Sequence, residues 1–546
     1  MASRLIGPHI HPIIHNVHGK ATVSDLLHDL LPTFDPSNPI LLQAGTGAGK
    51  TRSILDVLVP YAVEHDQKIL FISSRAAIST QFKTNLARVV KRPEISTDYT
   101  AEGLRKVEDI DPVKILTYHA LWAQLCAGSI NLRSFDYLVW DEIHSLALDS
   151  VFVAYTGELL ERVVRSCAGI CRIYLSATPE PILDKLVQLE GYPALTVYRW
   201  TTRYDHFLLH FYGKLGEIAD YMRNIPAAEK ALIFVSSIRE GEILAKMLPD
   251  DHRLITSSTR TNLPDEWTKL LSDPILPTRF TIATTTLDAG VSLTDPALKH
   301  IVCESLDFAQ ILQEAGRKRL KTGEKLNIYL RDPTRQQIGN RLIAVQQTLT
   351  NLAVCATAPN TFVRRFILGS EQPELRGMCC SSQHLCCAWD SELQCFYNGP
   401  ETYISLTVNP LSALYLQQRT DLFTQLLKRG EEYPFEKYIC KCFGQPLPSD
   451  SSRWLDGRFD AANRDKFWNF VKENIGKIFF CKKEKELFSA EFQALHTAAY
   501  GPRKADRSDR IWGANIIKNV LEDHNRGYQL DTKRGWQIID LRQQSA

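Results

Sequence analysis

Short apolar runs separated by stretches with helical periodicity dominate the first 330 positions of the chain. The runs Pro39-Ile40-Leu41-Leu42, Lys68-Ile69-Leu70-Phe71-Ile72, Ile115-Leu116, Tyr137-Leu138-Val139-Trp140 and Ile173-Tyr174-Leu175 are apolar at consecutive positions rather than alternate ones. That pattern predicts strands buried on both faces of a parallel sheet. A second series follows at Ala231-Leu232-Ile233-Phe234-Val235, Leu254-Ile255, Phe280-Thr281-Ile282-Ala283, His300-Ile301-Val302 and Lys325 to Leu330. Two tandem α/β domains are predicted, over 1–203 and 204–336, with Val197 to Tyr212 carrying the crossover between them. Beyond, over 337–546, the alternation fades and a third domain of mixed or mainly helical fold is expected.

Two places in this pattern carry chemistry. Strand Ile40-Leu41-Leu42 runs into Ala44-Gly45-Thr46-Gly47-Ala48-Gly49-Lys50-Thr51, and a helix-compatible Arg52 to Leu58 follows. Strand, glycine-rich turn and helix in this order make a phosphate cradle. The glycines let backbone N–H groups curl around a phosphate, Lys50 reaches the β and γ phosphates, and the Thr51 hydroxyl suits Mg²⁺. ATP and Mg²⁺ are the expected cofactors. The strict pattern has glycine where this chain has Ala44. Downstream, Tyr137 to Trp140 ends in Asp141-Glu142-Ile143-His144, which puts two adjacent carboxylates at the carboxyl edge of a buried strand, where open α/β sheets bind ligands. Phosphoryl transfer to water needs one carboxylate to hold Mg²⁺, Asp141, and another to orient and deprotonate the water, Glu142. Taken alone, the pair could equally be a solvated cap of the next helix.

With the motifs around it, Asp141-Glu142-Ile143-His144 resembles the second motif of superfamily two DExH helicases. Ser73-Ser74-Arg75 resembles motif Ia, Thr117 to Leu121 motif Ib, and Ser176-Ala177-Thr178-Pro179 motif III. In the second series, Phe234 to Ser237 is similar to motif IV, Ala283 to Val291 to motif V, and Gln313 to Arg319 to motif VI. The resemblance covers about the first 330 residues and implies two RecA-like domains, with ATP between them and a nucleic-acid strand across the top. It implies that Gln313 positions the attacking water and that Arg317 is an arginine finger. His144, Ser176 and Thr178 would couple the two domains. Ser73, Arg75, Thr117, Ser236, Thr284 and Thr285 would touch the nucleic-acid backbone without reading bases. Two departures stand out. The family reads Gly-Arg-x-Gly-Arg, whereas Gly316-Arg317-Lys318-Arg319 is one residue short, so Arg319, the candidate second finger, stands off the family's spacing. No glutamine precedes Gln43, which sets the chain apart from the DEAD-box subfamily.

Composition adds limits. A formal net charge of +2 gives no overall signal of a nucleic-acid binder, so any basic surface is local. The absence of an 18-residue apolar run or of a leader at the N-terminus points to a cytoplasmic protein without membrane contact. Thirteen cysteines in such a chain are expected to be reduced thiols. Cys379, Cys380, Cys386, Cys387 and Cys395, near His384, lack Cys-x-x-Cys spacing and are read as free cysteines rather than zinc ligands. His9, His11, His15 and His18 have no cysteine or carboxylate among them and are read as surface or packing residues. His28-Asp29 resembles the motif of HD nucleases, but the segment before the phosphate loop is too short for that domain. Near the end, a helix over Ile511 to Asp523 and a hairpin around Asp531-Thr532-Lys533-Arg534-Gly535 give a winged-helix-like pattern, which serves nucleic-acid contact or merely closes the third domain.

The expectation is an ATP-driven helicase or translocase, with DNA favoured over RNA and a possible protein partner through 337–546. Two rivals are the motor subunit of a defence, restriction or replication assembly that moves on duplex without separating it, and a nucleotide-switched, nucleic-acid-binding scaffold that does not hydrolyse.

Overall fold

The computed structural model describes residues 12–17, 22–90, 107–191, 194–201, 204–256, 274–284, 293–362, 365, 371, 373–381, 388–390, 395–397, 406–428, 433–449, 451–455, 461–500, 511–524 and 528–541. Every predicted apolar run in the first two series is a strand. The first sheet contains β1 (Ile13–Val17), β2 (Ile40–Gln43), β3 (Ile69–Ser73), β4 (Asp109–Ile110), β5 (Val113–Thr117), β6 (Tyr137–Trp140), β7 (Cys171–Ser176) and β8 (Thr196–Trp200). Their order is β1-β8-β2-β7-β6-β3-β5-β4, parallel except for the β4–β5 pair. The second sheet contains β9 (Phe207–Tyr212), β10 (Lys230–Phe234), β11 (His252–Ile255), β12 (Phe280–Ala283), β13 (Leu298–Cys303) and β14 (Leu326–Arg331). It runs β11-β12-β10-β13-β14-β9 and is parallel throughout. Strands β3, β6, β7 and β12 are buried at every position, as unbroken apolar runs require.

The expected crossover over Val197 to Tyr212 lies between two strands that fill most of that stretch, β8 in one sheet and β9 in the other. Its aromatic and β-branched composition was a strand signal; the connection between the sheets lies in the few residues between them. The edge strand β1 is mostly exposed, so no burial pattern announces it. Its His15 stacks on Tyr198 with ring centroids 5.5 Å apart; His9, His11 and His18 lie outside the described residues.

In the first sheet Arg172 on β7 lies against Glu190 at the end of helix Glu180–Glu190. Arg172 Nη2 is 2.8 Å from Glu190 Oε2, with side chains only 5% and 2% exposed. Arg172 Nη1 also donates to the carbonyls of Cys167 and Ile170 at 2.6 and 2.7 Å. A buried pair with its hydrogens satisfied is tolerated, but one partner left alone is costly. Arg172→Leu is therefore expected to destabilise the chain by about 3–5 kcal/mol in urea denaturation, whereas a surface pair such as Arg165–Glu161 changes it by less than about 1 kcal/mol.

After the second sheet, Thr334 caps helix Arg335–Thr357 through a reciprocal bond with Gln337. This helix packs along helix Pro410–Leu426, whose two ends lie in different cores. Leu411 is buried with the first sheet's Leu138 and Trp140, while Phe423 and Leu426 are buried with the second sheet's Phe211 and Leu330. Ser412 Oγ donates to Ser150 O at 2.6 Å and Asn409 Nδ2 to Thr156 Oγ1 at 2.9 Å. A Cβ at Gly157 would meet Asn409 Oδ1 at 2.5 Å, so that glycine lets the helix start close in.

Cys379 and Cys380 lie on strand Cys379–Ser381, which pairs with Leu406–Val408, and Cys395 lies on a separate hairpin. Cys386, Cys387 and His384 fall outside the described residues. Residues 461–540 have a core of their own around Phe467, Trp468, Phe492 and Trp512. Among the described residues, no helix is long and apolar enough to cross a membrane.

Candidate nucleotide and interdomain site

The glycine loop, the acidic motif and Ser176 all stand at the carboxyl ends of strands, β2, β6 and β7. The glycine loop follows β2, and Gly47 and Gly49 take φ of 80° and 86°, a region closed to most side chains. Lys50, 6% exposed, opens the following helix and turns its ammonium back onto the loop, donating to the carbonyls of Ala44 at 2.8 Å and Gly45 at 3.1 Å. Ala44 is itself buried at the end of β2, so a methyl group there packs into the core and leaves the loop's backbone unaltered. The helix continues to Glu64 through a π-turn at Ile54–Leu58. Pro60 has no N–H to give within the helix, and the ladder widens so that the Val59 N–H reaches Ile54 O.

Facing the loop, Asp141 follows β6 and accepts from Thr51 Oγ1 on Oδ2 at 3.1 Å. Among the described residues its other oxygen, Oδ1, is buried without a hydrogen-bond partner, and so is Glu142 Oε2. Burial and the neighbouring Glu142 push the Asp141 carboxyl up, against the pull of Lys50. Two orphaned carboxylate oxygens beside a threonine hydroxyl are an all-oxygen donor set in search of positive charge, and this fits Mg²⁺. Glu142 stands at φ 51°, a conformation that costs a non-glycine residue energy and turns its carboxylate off the strand's line.

His144 joins the two α/β units. Its Nδ1 lies 2.9 Å from Ser176 Oγ, which accepts from the Thr178 N–H at 3.0 Å. Its Nε2 lies 2.6 Å from Gln313 Nε2. Burial depresses the imidazole's basicity, so it is neutral, one nitrogen carrying hydrogen and the other accepting. With Gln313 donating to Nε2, Nδ1–H donates to Ser176. Glu142 Oε2 is 3.4 Å from the same Nδ1. The relay thus runs from the end of β7 through the acidic motif to the second unit.

Gln313 lies on helix Phe308–Ala315, which Asp307 caps by accepting from the Ala309 N–H at 2.9 Å. Past the helix, a Cβ on Gly316 would lie 3.4 Å from Thr46 Cγ2, so the second unit meets the glycine loop directly. The chain then extends: Arg317 O accepts from Leu293 N and Arg319 N donates to Leu293 O, at 2.7 and 2.8 Å. Extended backbone alternates its side chains. Lys318 turns inward, 4% exposed and 3.4 Å from Glu324. Burial and Arg317 lower the affinity of the Arg319 guanidinium for its proton, while Glu142 and Asp141 raise it. The shortened motif therefore still keeps its two arginines near enough for their charges to act on each other.

The remaining predicted residues are placed as follows. Ser73 and Thr117 end β3 and β5, and Ser236 and Thr284 follow β10 and β12. Thr117 Oγ1 already caps its helix by accepting from the Ala120 N–H at 3.2 Å, and the Ser236 N–H donates to Glu304 at 3.0 Å. Arg75 is forked onto Asp149 at 2.6 and 2.7 Å, and Tyr118 donates to the same carboxylate at 2.7 Å. Thr285 lies outside the described residues. Asp149 and Asp307 were not singled out from the sequence. Each works through partners 74 and 108 residues away, and local spacing carries no sign of that.

Residues 16–181 match the family described as the type III restriction enzyme res subunit. ATP-dependent RNA helicase DBP6 of Vanderwaltozyma polyspora is 26% identical over an alignment covering 42% of each protein, so the chain spans less than half of that relative's length. Similar solved structures include Mss116p bound to ssRNA and AMP-PNP, with 13% identity and a TM-score of 0.45 over 60% of this chain and 79% of that one. Another is the Mycobacterium smegmatis helicase Lhr bound to ssDNA and AMP-PNP, with 17% identity and a TM-score of 0.41 over 78% and 66%.

Proposed function

We propose that the chain is an ATP-dependent nucleic-acid motor of the superfamily two helicase kind, hydrolysing ATP at the junction of its two α/β units. One observation carries this reading: Gln313 of the second unit reaches His144 beside Glu142, so the arrangement that would turn ATP over is complete only when the units meet. Lys50 and the loop N–H groups would bind the phosphates, exchanging the Ala44 and Gly45 carbonyls for phosphate oxygens. Thr51 and Asp141 would hold Mg²⁺, which when bound neutralises charge between the phosphates. Glu142 would take a proton from the attacking water, with Gln313 and His144 fixing their positions, and Arg317 and Arg319 would face the transferring phosphoryl group. Within this reading the DExH kind is favoured over the DEAD-box kind, because His144 is used as a bridge and no glutamine precedes Gln43.

The type III restriction match supports a second reading, a motor subunit that moves along duplex without separating it. Phosphate release measured with single-stranded, duplex and forked DNA and RNA, followed by unwinding and triplex displacement, tests both. Stimulation with unwinding supports the helicase, and stimulation with triplex displacement alone supports the subunit. No stimulation by any nucleic acid overturns both. Stronger stimulation by RNA would overturn the preference for DNA.

A further inference from the structure

Within residues 461–540 the order of elements is helix Ala461–Glu473, strand Ile478–Phe479, helices Lys482–Tyr500 and Ala514–Asp523, then strands Tyr528–Asp531 and Trp536–Asp540. The three strands form an antiparallel sheet with the last strand in the middle, the arrangement of a winged helix. The hairpin turn is pinned to the first strand at Gly535. With φ at 134°, a Cβ there would meet Ile478 Cγ2 at 2.7 Å and Phe479 O at 3.1 Å. The turn also takes shape from the Lys533 N–H donating to Asp531 Oδ1 at 3.0 Å.

The same contact sets the wing tip beside Phe480. Phe479 turns inward, stacked on Phe488 at 4.5 Å, and the next residue, Phe480, is left 65% exposed. Glu484 Oε2 accepts from the Phe480 and Cys481 N–H groups at 2.9 and 3.1 Å, which fixes the backbone that carries the ring and spends that carboxylate on the turn. Around the ring are the exposed Lys533 and Arg534 on the wing and Lys482 and Lys483 on the helix, with Glu486 3.8 Å from Lys482 as a counter-charge. Helix Ala514–Asp523, by contrast, exposes Asn515, Lys518, Asn519 and Glu522, a mixed face with no such concentration of charge.

We infer that this wing end is a second nucleic-acid site, one that takes the end of a duplex or its junction with a single strand. The inference rests on the motor reading and deepens it. Lysine and arginine without a fixed fork partner grip phosphates regardless of sequence. An exposed aromatic ring among them needs a base face to stack on, and an intact duplex offers none except at an end or where strands part. Phosphate contacts would hold the substrate while Phe480 covers the exposed base.

The test measures binding of the full chain, without nucleotide, to single-stranded, blunt duplex and forked DNA and RNA across a salt series. Lys533→Ala with Arg534→Ala is expected to reduce the slope of log affinity against log salt by roughly 1 to 2 on forks. Phe480→Ala is expected to lower fork affinity by about tenfold with the salt slope unchanged. Both should keep wild-type ATP hydrolysis on short single strands, which also reports folding. Equal affinity of wild type and variants for every nucleic acid would overturn the inference, as would loss of binding to anionic phosphatidylserine vesicles in place of forks. Failure of the motor reading shows separately, as absence of stimulated hydrolysis in the unaltered chain.

Discussion

Glu142→Gln is expected to retain ATP binding and to lose stimulated hydrolysis by about 10²- to 10⁴-fold, the range over which a positioned base acts. The substitution keeps the side chain's size and breaks no hydrogen bond at Oε2, which is buried without a hydrogen-bond partner among the described residues, so the fold should survive it. Binding of a fluorescent ATP analogue and phosphate release, measured on the same preparation, check the two halves. Lys50→Ala is the complementary case and should lose binding as well, because its ammonium is the buried cation of the glycine loop. Wild-type turnover in Glu142→Gln would remove Glu142 from the chemistry.

The second large effect concerns the arginine pair. Removing an arginine finger commonly slows phosphoryl transfer by 10³ to 10⁵, about 4–7 kcal/mol. Arg317→Ala and Arg319→Ala are each expected to spare ATP binding and reduce hydrolysis, and single-turnover rates would rank them. Arg319 lies within the electrostatic reach of Glu142 and Asp141, so its loss is expected to slow hydrolysis as well. An Arg319→Ala enzyme with wild-type turnover would show that only the arginine at the family's position serves.

The strands and the glycine loop were legible because their cause is local. Buried parallel strands need unbroken apolar runs, and a phosphate loop needs glycines at fixed offsets. Asp141, Glu142 and His144 were legible for the same reason, and the ending hairpin was foreshadowed by its turn residues. Val197 to Tyr212 carries the connection as expected, but that its two flanks are strands of different sheets is set by pairing and not by composition. The backbone setting of Arg319 was hidden, since it depends on a bridge to Leu293, far from the motif's own residues. Arg75 shows the opposite limit: its type suits a phosphate, but only the fold reveals that Asp149 already holds it.

Helix Pro410–Leu426 gives the junction a mechanical character. Its 17 residues make a rod about 25 Å long. About a third of the way along it, Tyr415 donates at 2.8 Å to Asp307, the cap of the helix that bears Gln313. With each end sunk in a different core, the units cannot part freely as on a loose hinge; wide separation must withdraw Leu411 or Phe423 from its packing. Cleft geometry and thermal stability are therefore linked quantities. A ligand that draws the units together is bound to raise the melting temperature, by mass action, in proportion to how much more tightly it binds the closed state.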